Sequence, residues 1–186
     1  MDTIDFTQMK DGTQQEYQFL GGILDAHIQA NLADNVLGLL KAMEGPKLGY
    51  KIDRYQHSLQ SATRALRDDA DEETVVCALL HDIGDTIAPE NHSAAAAAIL
   101  RPYISEKNHW IIRHHGLFQG YYFFHHIGGD RNGRDRYRDH PYFEACAAFC
   151  ERWDQNSFDP DYDTAPLSAF EPAVRQVFAR PPQAFA

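Results

Sequence analysis

The chain has 186 residues, 44% of them hydrophobic and 12% aromatic, and a formal charge of -10 at pH 7. That is apolar material for one core, so a single domain over residues 1–186 is expected. The acidic balance excludes a general affinity for nucleic acid or an anionic membrane, because polyanions select basic surfaces, and no run approaches the ~18 apolar residues of a membrane span.

The pattern reads as nearly all helix. Residues 14 to 43 alternate at helical spacing, with Gly21-Gly22 and the stretch Asn31 to Asp34 as weak points that predict a split into two helices. Glu44-Gly45-Pro46 then breaks the pattern. From Arg54 to Asp69, Leu59, Ala62, Ala65 and Leu66 recur at steps of three and four, an amphipathic helix with His57 near its start. Asp71-Glu72-Glu73 opens the next helix, whose stripe is Val75, Val76, Leu79, Leu80 and Ile83, with Gly84 as the stop. Asn91 is placed to cap a helix from His92 to about Arg101, where Pro102 ends it. Another begins near Ser105 and carries Trp110, Ile111, Ile112 and His115 towards Phe118. Residues 128 to 139 read as a polar loop with a short helical turn, followed by apolar helix from Tyr142 to Trp153 and a last short helix from Ala173 to Phe178.

No segment shows the period-two alternation of a half-buried strand, so the fold class is all-α, a single-domain helical bundle. Cys77, Cys146 and Cys150 form no CxxC pair and read as reduced core residues of a cytoplasmic protein. The start of the chain carries no basic segment followed by an apolar run, which also favours the cytoplasm.

Along these helices the groups able to do chemistry fall in a fixed order: His57, His81 with Asp82, His92, His115 and Asp154. Four imidazoles and two carboxylates suit first-row ions such as iron, manganese or zinc. If Asp82 bridges two ions, each keeps open positions for substrate, water or dioxygen. Neighbours on a helix point about 100° apart, so His81 and Asp82 can serve one centre only where the helix ends. Singly, each histidine reads as an ordinary hydrogen-bonded core residue. The weight rests on the ordered set.

That set, His57 in "RYQHSLQSA", His81-Asp82 in "LLHDIGD" and the later Asp154, resembles the H...HD...D signature of the HD-domain superfamily of metal-dependent helical proteins, over about residues 50 to 155. With His92 in "PENHSAAAA" and His115 in "IIRHHGLF", the chain is most similar to the mixed-valent diiron oxygenases, which include myo-inositol oxygenase and the oxygenases that cleave 1-hydroxyphosphonates. The resemblance implies two iron ions, Fe(II)/Fe(III), with dioxygen as co-substrate. It implies His57, His81 and Asp154 on one iron, His92 and His115 on the other, and Asp82 between them; His114 competes with His115 for the ligand role. The implied partner is a small organophosphonate, whose carbon–phosphorus bond breaks to give a carboxylate and phosphate. A dinuclear HD phosphohydrolase, using almost the same ligands, is the rival expectation.

Other residues qualify this expectation. Asp85 stands where related HD enzymes carry lysine or histidine, and is either a solvent-facing acid at a helix end or an acceptor that orients a ligand histidine. Tyr50, before the first ligand, is a lid or a buried tyrosine. The run "FQGYYFFHH" offers Gln119 as a phosphonate contact, and Tyr121 and Tyr122 as rings that either fill the core or hold a quaternary ammonium by cation–π attraction. Arg131 and Arg134 belong to an arginine-rich loop that is either a solvated face or a source of phosphonate contacts. No carboxylate suited to a primary amine is evident, which favours 1-hydroxy-2-(trimethylammonio)ethylphosphonate over 2-amino-1-hydroxyethylphosphonate.

Overall fold

A computed structural model describes residues 3–183. Among them the chain is helical throughout, with no strand and seven α-helices joined by turns and short 3₁₀ segments. Helix α1, Gln14–Lys41, is continuous for 28 residues, where two helices were expected. Two glycines cost a helix roughly 2 kcal/mol together, and both ends of this one are anchored. At the start, Thr13 and Glu16 form a capping box, and the other carboxylate oxygen of Glu16 accepts the Asp5 amide at 3.0 Å. At the far end Val36, Leu37 and Leu40 are buried. Asn31, instead of breaking the helix, donates back to the His27 carbonyl at 2.8 Å.

Asp53 caps α2, Arg54–Arg67, by accepting the Gln56 amide at 2.8 Å. Leu59, Ala62 and Ala65 are buried as the pattern predicts, while Leu66 in the last turn is about half exposed (48%). Helix α3, Glu72–Leu80, is capped by Asp71 and is buried on every side from Val75 to Leu80. The predicted stripe is therefore a whole helix in the interior, packed against α2 and two later helices.

Helix α3 stops at Leu80, before Gly84, and residues 81–87 run on as consecutive turns. Gly84 does not take the left-handed conformation of a glycine stop; among the described glycines only Gly49 and Gly128 do. What it supplies is room. A Cβ there would lie 2.6 Å from the His92 carbonyl oxygen and 2.9 Å from Ala95 Cβ, so only glycine lets this turn press against the next helix, α4, His92–Leu100.

Asn91 precedes α4 without making the expected capping bond. Ser105 caps α5, Glu106–Phe123, which continues through the aromatic run to lie along α4. The polar loop contains the expected turn, Gly133–Tyr137. Helix α6, Phe143–Phe149, widens into a π-helical turn, Cys150–Asp154, and α7, Glu171–Phe178, closes against α3. The core gathers Leu79, Leu80, Ile83, Leu100, Ile112, Phe118, Phe149 and Phe170, each fully buried and each contributing about 1.5–3 kcal/mol of burial. The three cysteines are buried and unpaired.

Two glycines should respond to alanine with opposite sign. Nothing lies within 4 Å of a Cβ at Gly21, so Gly21→Ala should stabilise the fold by roughly 0.5–1 kcal/mol. Gly84→Ala meets backbone and should destabilise by roughly 1–3 kcal/mol. Urea unfolding midpoints measure both; equal midpoints for the two variants would contradict the packing described.

Candidate metal centre

Five short pieces of chain converge on one point. The first turn of α2 supplies His57, the turn after α3 supplies His81 and Asp82, the start of α4 supplies His92, the middle of α5 supplies His115, and the π-helical turn supplies Asp154. The extra residue in a π turn re-aims the side chains that follow it, and here Asp154 points inward. His57, His81, Asp82, His115 and Asp154 are buried; His92, on the solvent side, keeps 28% of its side chain exposed.

All four histidines are fixed the same way. Nδ1 of His57 lies 2.9 Å from the Ser157 carbonyl, His81 2.8 Å from Ala78, His92 3.1 Å from Pro89 and His115 2.7 Å from Ile112. A carbonyl only accepts, so each Nδ1 donates to it and each ring presents Nε2 to the centre. That is how proteins orient metal-ligating imidazoles.

The inward atoms form two groups around one carboxylate. Asp82 Oδ2 lies 3.6 Å from His57 Nε2 and 3.5 Å from His81 Nε2, and Asp154 Oδ1 lies 3.4 and 3.8 Å from the same two nitrogens. Asp82 Oδ1 lies 3.2 Å from His115 Nε2 and 3.5 Å from His92 Nε2. Donors held about 2.0–2.2 Å from one ion sit ~3 Å apart, which matches this spacing. Asp154 Oδ2 is buried with no hydrogen-bond partner, as expected of an oxygen reserved for a cation.

Nε2 of His57 and His81 stand 3.1 Å apart. Two neutral imidazoles would oppose lone pairs there, so the metal-free chain needs a proton between them. Burial pushes His81 down to about 4. Burial also works against His57, but the hydrogen bond and charge of Asp154 outweigh it and raise its pKa. His115 is raised similarly, Asp82 overcoming its burial. The carboxylates of Asp82 and Asp154 stay ionised despite burial, because the surrounding imidazoles hold their pKa values down. The donor set therefore suits a dinuclear site, its two groups sharing the His81-Asp82 turn.

A cavity of about 290 Å³ opens on the Asp82, His92 and His115 side. Gln119 lines it and donates from Nε2 to Asp154 Oδ1 at 3.0 Å. Tyr122 lines it too, as does Tyr50, which is half exposed and stacks at 5.2 Å on Phe158. Phe158 in turn stacks at 4.4 Å on the His57 ring.

Several expected site residues lie elsewhere. His114 faces away, its ring 4.2 Å from Trp110 and its Nδ1 bonded to the Trp110 carbonyl, so His115 is the neighbour that reaches the centre. His115, Gln119 and Tyr122 share one helix face; one residue off it, Tyr121 is covered by Arg131 and Arg134 at 4.3 and 3.8 Å. Those two guanidiniums spend their charge on that ring and line no part of the cavity. Asp85 orients no ligand: His92 Nδ1 is 3.9 Å away and already bonded to Pro89, and Asp85 instead accepts Arg54 Nε at 3.1 Å.

Sequence reasoning missed Arg54, Phe158 and Gly116. Arg54 stands three residues before His57, hence on its helix face, and that spacing was the available signal. A Cβ on Gly116 would fall 2.7 Å from Ser93 Oγ and 3.5 Å from His92 Nε2, so its smallness lets His92 approach. Phe158 carried no signal, because its place depends on the irregular chain after Asp154.

Loading with a divalent first-row metal should give two ions per chain by elemental analysis, and Asp82→Ala should lose both. At pH 7 loading should release protons, since His57 and His115 hold them above their ordinary range in the metal-free fold. Calorimetry in buffers of different ionisation enthalpy measures that release; heats independent of buffer would contradict it.

The model of the HD domain matches residues 54–154, from Arg54 at the start of α2 to the carboxylate of Asp154. No curated protein matches the chain, and no helix among the described residues is long and apolar enough to cross a membrane. With the match covering more than half of its length and both ends of the ligand set, the chain belongs to the HD-domain family.

Proposed function

We propose that the chain is a diiron oxygenase that uses O2 to cleave the carbon–phosphorus bond of a small 1-hydroxyphosphonate. The preferred substrate is 1-hydroxy-2-(trimethylammonio)ethylphosphonate, which with one O2 gives glycine betaine, hydrogen phosphate and a proton. The observation that carries this reading is the cavity wall. Besides Phe158, which stacks on both His57 and Tyr50, the rings of Tyr50, Tyr122 and Phe123 line the cavity, and among the described residues the carboxylates that line it are Asp82 and Asp154, both committed to the centre. A primary ammonium would want a free carboxylate; a quaternary one, which donates no hydrogen bond, is best held by ring faces. The volume lies at the low end of small-molecule pockets, typically about 300–1,000 Å³, as a substrate of few heavy atoms requires.

His57, His81 and Asp154 would hold one iron, His92 and His115 the other, with Asp82 shared. The pair would supply the binding of the hydroxyl and of dioxygen, and the electron transfers between them. The chain's own part is placement. Gln119 ties Asp154 to α5, and the Tyr50–Phe158 stack covers the His57 ring.

A second reading, a dinuclear phosphohydrolase, is favoured by one observation: Arg54 lines the same cavity beside the bridging carboxylate, where a phosphate ester could also meet it. An oxygen electrode and a phosphate assay separate the two. Iron-loaded protein should consume one O2 per phosphate released from the hydroxyphosphonate, and Asp82→Ala should lower the rate at least roughly 10³-fold, as expected on loss of both ions. Oxygen-independent release of phosphate from phosphate esters would refute the oxygenase and support the hydrolase.

A further inference from the structure

Position 85, just after the His81-Asp82 pair, carries an acid, and the cavity beside it contains a cation from another element. Arg54 enters from the first turn of α2, its side chain one-third exposed (33%), with Nε on Asp85 Oδ2 at 3.1 Å and Nη1 3.7 Å from Asp82 Oδ2. Its guanidinium carbon lies 5.1 Å from the Tyr50 ring centroid and 6.0 Å from that of Phe158.

We propose that Arg54, aimed by Asp85 and roofed by Tyr50, is the residue that selects a phosphorus oxyanion at this centre; the inference rests on the phosphonate reading above. Two carboxylates, Asp82 and Asp154, would face two metal ions that together bring at least four positive charges. A third cation beside them repels the ions unless another anion joins. Asp85 balances the guanidinium itself and leaves the excess at the metals unanswered. A doubly charged phosphonate at the open face of the centre answers it, whereas a neutral polyol does not.

The geometry suits that role. A guanidinium has five N–H donors in one plane. Asp85 takes the Nε edge, which fixes the plane and leaves the remaining N–H groups for Asp82 and the cavity, a fork suited to two phosphonate oxygens. Lysine at position 54 could satisfy Asp85 or the anion but has no rigid fork to span both. Asp85 is thus a positioning residue acting through Arg54. Asp85 and Arg54 are two halves of one arrangement.

The test is calorimetric binding of methylphosphonate and of inorganic phosphate to metal-loaded wild type, Arg54→Gln, Arg54→Lys, Asp85→Asn and, as a surface-charge control, Arg138→Gln. Metal content is measured on each sample. Arg54→Gln should keep two ions per chain and weaken methylphosphonate binding roughly 10- to 100-fold, the loss of charge-assisted hydrogen bonds. Arg54→Lys and Asp85→Asn should fall between it and wild type, and Arg138→Gln should match wild type. Unchanged affinity in a fully loaded Arg54→Gln or Arg54→Lys overturns the role of Arg54 and leaves the phosphonate reading standing. A loaded wild type that binds neither anion sinks that reading and the inference together.

Discussion

Two imidazole lone pairs aimed at one point, 3.1 Å apart and walled off from water, cannot stand without a positive charge between them. The rest of the structure follows from that constraint. Neither His57 nor His81 can turn aside, because each is tied through Nδ1 to a carbonyl, and the nearby carboxylates of Asp82 and Asp154 are buried as deeply. Removing such groups from water costs several kcal/mol per ion after relaxation. Cations that bind only the folded state return that cost by mass action. The interior around α3 is accordingly dense and apolar, with Leu79, Leu80 and Ile83 fully buried, since a firm core is what keeps unpaired donors from relaxing away.

Three of the four histidines are oriented locally. His81, His92 and His115 each bond to the carbonyl three residues earlier, so their ring directions are set by the turn of chain that carries them. His57 differs: its carbonyl partner is Ser157, one hundred residues away in sequence. The segment after the π-helical turn is held to α2 by Asp159 donating to Gln60 and by Arg64 donating to Asn156. It places Ser157 behind His57 and Phe158 over the His57 ring, directly after Asp154, the last residue of the turn. Binding by His57 and order in residues 154–159 are therefore one property of the fold.

This division explains what could be read from the sequence. Helix positions followed from periodicity and caps, and the six candidate donors were legible as residue types in a family-like order, although the choice between His114 and His115 and the partner of His57 depend on the folded chain. The uninterrupted α1 was misread because glycine propensity was weighed without the Thr13–Glu16 cap and the buried anchor at Val36 to Leu40. Gly84 was assigned the right importance for the wrong reason: the sequence marks a glycine, but only the approach of α4 shows that space is what it provides. The arginines of the 131–134 loop were candidates because charge is visible in sequence and the ring that absorbs it is not. Arg54 was overlooked for the converse reason, a lone arginine whose significance lies in Asp82 and Asp85 coming to meet it.

The net charge of the chain gives the site a further logic. At -10 the molecule as a whole does not attract anions, and its field is screened beyond about 8 Å in physiological salt. The cations of the 131–134 loop are spent on Tyr121 and line no part of the cavity. Whatever selects an anionic substrate must act at short range, inside the cavity, where low dielectric makes each charge count for more. The candidate metal centre, Arg54 and the rings of Tyr50, Tyr122 and Phe123 line the cavity together. On the proposed reading, a zwitterionic hydroxyphosphonate would be held by these groups alone, without help from the acidic surface.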